Sequence, residues 1–157
     1  MWQPWASLIA VGAKSIETRS WATAYRGWIA IHAASHWTDA ERRLLDQPAF
    51  KTPLTAACPE VDGRLVLPLG AFVAIGRLSA MRSTNADRLA IPPRGSSEFY
   101  FGDYGPDRFM WRFEEVQPLE RPLLARGQQG LWTLTDVCVS VLLDRVPADF
   151  RGRVEVS

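Results

Sequence analysis

Residues 25–34, YRGWIAIHAA, alternate with a period of two, so Ile29, Ile31 and Ala33 share one face of an extended chain and Trp28, Ala30 and His32 the other. Similar strand-like patterning marks 15–21, the glycine-interrupted run 70–83, and 108–119, where Phe109, Trp111 and Phe113 share a face. A further strand is expected over 127–137. Only two segments carry helical spacing early in the chain. In 4–11, Trp5, Leu8, Ile9 and Gly12 fall on one face, Pro4 suits a helix start and Gly12 a left-handed stop. In 35–47, Thr38 and Glu41 have the spacing of a capping box. The order is helix, strand, strand, helix, then several strands. Successive strands therefore lack the intervening helices of a parallel crossover fold, and the pattern predicts an α+β chain: a small mixed β-barrel with two or three packed helices.

The connections are long. Pro48, Pro53, Pro59, Gly63 and Pro68 make 47–69 mostly loop, with room for one short helix. Residues 84–107 have no periodic apolar pattern, yet carry Phe99, Tyr100, Phe101 and Tyr104, as either a satellite core cluster or a ligand lid. The run ARGQQG at 125–130 has no lysine and no following helix, so it reads as a turn rather than a phosphate loop. One domain is expected over 1–136, with a C-terminal extension, 137–157, packed on it.

At 157 residues, 47% hydrophobic and 22% charged, the chain has the composition of a folded globular domain. A net charge of +1 leaves no global polycation, so any nucleic-acid site must be a local patch. Sixteen of the 18 basic residues are arginine. Cys58 and Cys138 are far apart, and with only His32 and His36 there is no zinc spacing; no metal and no cofactor are expected. The N-terminal residues lack a basic region before their short apolar run, and no stretch approaches the roughly twenty apolar residues of a membrane span, which predicts a cytoplasmic protein without a membrane partner.

Against this background the string GAKSIETRSW, residues 12–21, stands out. Glu17 and Arg19 lie two apart on a strand, hence side by side on one face, and the preceding turn can aim Lys14 at the same place. A plain surface ion pair would explain this spacing and be worth little to stability. The alternative is a pocket: a carboxylate that holds a substrate N–H or activates water, beside a guanidinium fork for a phosphate or carbonyl.

The residues around this string resemble the ASCH domain family, a branch of the PUA-like β-barrels. They are Gln3-Pro4-Trp5-Ala6, Gly12-x-Lys14-x-x-Glu17-x-Arg19 with Ser20-Trp21, Arg26-Gly27, Ile31-His32-Ala33, and late Gly130-Leu131-Trp132, over most of residues 2–134. The resemblance implies a cleft between the first helices and the strand bearing Glu17 and Arg19, and RNA or a modified nucleobase as its ligand. It also implies an alternative. Some small bacterial members look like amidohydrolases of N4-acetylcytidine, and ribonuclease activity is ascribed to others. The subgroup's threonine, three residues after the motif lysine, is Glu17 here, and Thr18 should point to the opposite strand face. A hydrolase of this kind would therefore use water activated by Glu17, with Lys14 and Arg19 stabilising an oxyanion. The subgroup's downstream catalytic glutamate has no assigned counterpart.

The candidate catalytic residues are thus Lys14, Glu17 and Arg19. Trp5, Trp21, Tyr25, Arg26 and His32 are the candidate nucleic-acid contacts: two stacking surfaces, a loop tyrosine, a phosphate contact and a polar group on the cleft floor.

Overall fold

The computed structural model describes residues 1–155; the last two residues of the expected C-terminal extension lie outside them. The first helix, α1 (Trp5–Ala10), buries every residue after Trp5. Gln3 explains why it starts where it does. Fully buried, its side-chain carbonyl accepts from Ser7 N–H (3.1 Å) and its amide donates to the Pro68 carbonyl (2.7 Å), which ties the helix start to the turn before a central strand. Gly12, at φ +75°, ends it as expected.

Four strands form the main sheet: β1 (Ile16–Arg19), β2 (Gly27–Ala33), β5 (Ala71–Ser83) and β6 (Phe109–Leu124). Their order is β1-β6-β5-β2 and every pairing is antiparallel, so the sheet is not mixed. No ladder joins β1 to β2 among the described residues; hydrogen-bonded closure into a barrel is therefore not seen, and these two strands are the edges. The long strands β5 and β6 bend instead of running straight. Their register shifts three times, once across Gly76, where a Cβ would stand 3.0 Å from Val116. The glycine in that strand thus makes room for the Val116 and Phe113 side chains of β6.

Helices outnumber the expected two or three. Besides α1 there are α2 (Asp39–Leu44), α3 (Pro48–Thr55), α4 (Ser97–Tyr100), α5 (Asp136–Leu143) and α6 (Ala148–Glu155). The Thr38–Glu41 capping box forms at the start of α2. Within 47–69, α3 is followed by a small hairpin, β3 (Glu60–Val61) and β4 (Arg64–Leu65), around Asp62 and Gly63, both at positive φ.

The strand expected over 127–137 does not form. Leu131 and Thr133 are exposed while Trp132 and Leu134 are half-buried, so the period-two pattern is real. An extended chain laid on a core gives that pattern without any ladder. Thr135 then caps α5 by accepting from Cys138 N–H (3.3 Å).

Three apolar clusters hold these parts together. α1, β2, β5 and β6 share the first, with Ile9, Ile31, Val73, Trp111 and Phe113. Leu8 on the other side of α1 joins Trp37, Phe50, Leu54 and Phe101 in the second. Helices α5 and α6 close the third over Phe72 and Ile75. The C-terminal segment is thus packed on the same body as the sheet. No helix among the described residues is long and apolar enough to cross a membrane.

Candidate functional site

Lys14 leaves the turn after α1 and enters the interior, where its side chain has no exposure. Its ammonium donates to the carbonyls of Ile16 and of Phe101, the latter at 2.8 Å, and lies 3.7 Å from Glu17 Oε2. Burial pulls this lysine below its ordinary pKa, while Glu17 and, next, Glu98 oppose that pull. Lys14 is not on the wall of the cleft beside it.

Glu17 and Arg19 are. The Arg19 Nε is 3.3 Å from Glu17 Oε1, with 35% and 14% of the respective side chains exposed. Both line a cleft of about 1220 Å³ bounded by the two edge strands. The shared strand face placed them side by side, as the alternation predicts, and Thr18 points the other way. Its hydroxyl is buried and accepts from Asp103 N–H (3.1 Å). No threonine nucleophile is therefore presented to the cleft at this point.

The turn that delivers β1 is pinned by Glu98 from α4. Its carboxylate accepts from Ser15 N–H (2.7 Å), Ser15 Oγ (2.9 Å) and Ile16 N–H (3.1 Å). No sequence pattern pointed to this residue as an anchor, because the contact spans more than eighty positions.

The far wall is aromatic. His32 is buried; its Nε2 lies 2.9 Å from the Ala125 carbonyl, and its ring meets Phe72 and Trp132 edge-on at centroid distances of 5.0 and 5.9 Å. A carbonyl partner fixes the proton on Nε2. Gly127 passes so close that a Cβ there would be 2.6 Å from His32 Cε1. The segment 125–134 is thus a strap across the cleft that contributes Arg126, Gln128, Gln129 and Trp132 to its lining. Reading ARGQQG as a plain turn missed this; its two glycines were the available signal.

Of the other expected contacts, Trp21 and Tyr25 line the cleft and are exposed. The Trp21 ring packs edge-on to Trp111 at 4.5 Å, and the Tyr25 hydroxyl donates to the Trp28 carbonyl (2.8 Å). Trp5 is elsewhere: it packs beside Leu8, Trp37 and Phe50 and is not on the cleft wall. Arg26 is also outside it; its guanidinium bends back onto the carbonyls of Thr23 (3.1 Å) and Tyr25 (2.6 Å). Trp2 and Trp28, not singled out from the sequence, are on the wall.

The family model for the ASCH domain matches residues 1–84, a span that contains α1, the Lys14–Arg19 string and β2. The chain belongs to the ASCH domain family. No curated protein matches it. The crystal structure of ASCH from Zymomonas mobilis is similar in fold, with a TM-score of 0.52 over 94% of this chain and 92% of that chain at 16% identity. The similarity in fold therefore extends well beyond the segment that the family model matches. ASCH domains are PUA-like and are generally associated with RNA binding.

Proposed function

We propose that this ASCH cleft receives an unpaired base, from single-stranded RNA or as a modified nucleobase. The carrying observation is the Glu17–Arg19 pair on a cleft wall that also carries Trp21, Tyr25, Trp28 and Trp132. The carboxylate accepts from base N–H groups, the guanidinium takes a phosphate or a base carbonyl, and Trp21 or Tyr25 offers a stacking face. Lys14 acts from behind: it neutralises Glu17 and fixes the β1 backbone without touching the ligand. His32 holds the strap through Ala125. The test is titration of single-stranded RNA pentamers followed by tryptophan fluorescence. Arg19→Ala and Glu17→Gln should each weaken binding about tenfold or more, and Arg26→Ala should leave it unchanged. Equal affinity in all variants would remove the proposal.

Glu17 also supports a second reading at the same site, because it is the one carboxylate on the cleft wall among the described residues. As a base it would take a proton from water attacking an amide carbonyl, as in N4-acetylcytidine, and return it to the leaving amine, with Arg19 on the oxyanion. For RNA the attacking group would be a ribose hydroxyl. Release of cytidine from N4-acetylcytidine, abolished by Glu17→Gln, supports this reading; no cytidine from the wild type ends it.

A further inference from the structure

The strand opposite Glu17 carries a second recognition element in its backbone. An antiparallel strand offers its peptide groups alternately to its two sides. β2 lies antiparallel to β5, with Ile29 opposite Gly76, Ala30 opposite Ile75 and Ile31 opposite Ala74. Its even-numbered residues turn their peptide groups outward, and three contacts point to it. The Trp28 carbonyl accepts from the Tyr25 hydroxyl (2.8 Å), the His32 carbonyl from the Met1 amine (2.7 Å), and Ala34 N–H donates to the Met1 carbonyl (2.7 Å). Ala30 sits between them, half-buried and on the cleft wall. Its N–H and C=O therefore face the cleft from the free edge of β2, a fused donor and acceptor.

We infer that Ala30 reads the pairing edge of the base. This rests on the proposed base-binding cleft and adds what that cleft selects: a base with a hydrogen-bond donor next to an acceptor, an edge free only when the base is unpaired. In uracil, N3–H would donate to the Ala30 carbonyl and a ring carbonyl would accept from Ala30 N–H. The small alanine side chain leaves the edge accessible. A peptide strand adding to β2 is the other occupant such an edge invites, but it needs several consecutive outward residues. Here the carbonyls on either side of Ala30 are already taken, which leaves one residue, the span of a base edge.

The experiment titrates the wild-type protein with RNA pentamers that differ only at the central base, each of those bases being uncharged. Uridine is set against 3-methyluridine and 5-methyluridine, and cytidine against N4,N4-dimethylcytidine and 5-methylcytidine. Blocking the pairing edge should weaken binding about tenfold or more, while the 5-methyl bases bind as their parents do. Edge-blocked and 5-methyl pentamers binding alike would overturn the role of Ala30 and leave the cleft proposal standing. No binding of any pentamer would overturn the cleft proposal and this inference with it. Ala30→Pro removes only an outward N–H, a position where an edge strand tolerates proline, and should abolish the uridine preference over 3-methyluridine. Discrimination kept in a folded Ala30→Pro protein would contradict the inference; if that variant does not fold, the base panel alone decides.

Discussion

The Lys14 ammonium stands 3.7 Å behind Glu17 Oε2, sealed from solvent, while Arg19 meets the other carboxylate oxygen from the cleft side at 3.3 Å. One glutamate thus has a structural cation on one side and an accessible one on the other. Lys14→Met should strip the donor from two buried carbonyls and a partner from Glu17, at a cost of about 3 kcal/mol in urea unfolding. Arg19→Ala should cost well under about 1 kcal/mol, because its pair is partly exposed.

The same burial gives Lys14 a pH signature. Its folded pKa lies below the ordinary 10.5, so the unfolded chain binds more protons between the two values. Stability from this group therefore rises as pH climbs through the folded value toward 10.5 and is least below the folded value. Urea midpoints of wild type measured against Lys14→Met should diverge in favour of the wild type as the buffer goes from neutral to pH 10.

Glu98 tests whether the β1 turn is held from a distance. Glu98→Gln keeps the size but weakens three accepted hydrogen bonds, and should cost about 1–3 kcal/mol. Amide hydrogen exchange at Ser15 and Ile16 should accelerate more than at Ile31. Unchanged exchange would mean that the turn needs no anchor.

Two glycines of the strap should respond differently. Gly127→Ala forces a methyl into His32 and should destabilise by about 1–3 kcal/mol while disturbing the His32 ring signals. Gly130, at φ +76° with open space around it, should cost only about 1 kcal/mol as alanine and leave His32 unmoved.

The cleft lining has two arginines, Arg19 and Arg126, and no lysine. The dependence of log affinity on log salt for single-stranded RNA should therefore be shallow, with a slope of about −0.7 to −1.4, and Arg126→Ala should lower its magnitude by about 0.7.

Period-two alternation was enough to place Glu17 and Arg19 on one face, turn Thr18 away, and set Trp28, Ala30 and His32 apart from Ile29 and Ile31. Capping chemistry located α1 and α2. What the sequence left hidden depended on long-range partners. Lys14 could not be assigned to the interior from the turn that precedes β1, because its carbonyl partner at Phe101 lies 87 positions away. Glu98 was invisible as an anchor for the same reason. Residues 131–134 alternate like a strand but find a core instead of a ladder. Trp5 and Arg26 sit beside the motif in sequence and turn away from the cleft in space.

The most direct test of a base-binding cleft uses the indole N–H signals in proton–nitrogen NMR as single-stranded RNA is added. Trp2, Trp21, Trp28, Trp111 and Trp132 line the cleft, whereas Trp5 and Trp37 belong to the cluster on the other side of α1. The account predicts that signals from the first group, Trp21 foremost, shift in a saturable way while Trp5 and Trp37 stay fixed. Saturable shifts confined to Trp5 and Trp37, or no shifts even at a large molar excess of RNA, would contradict it.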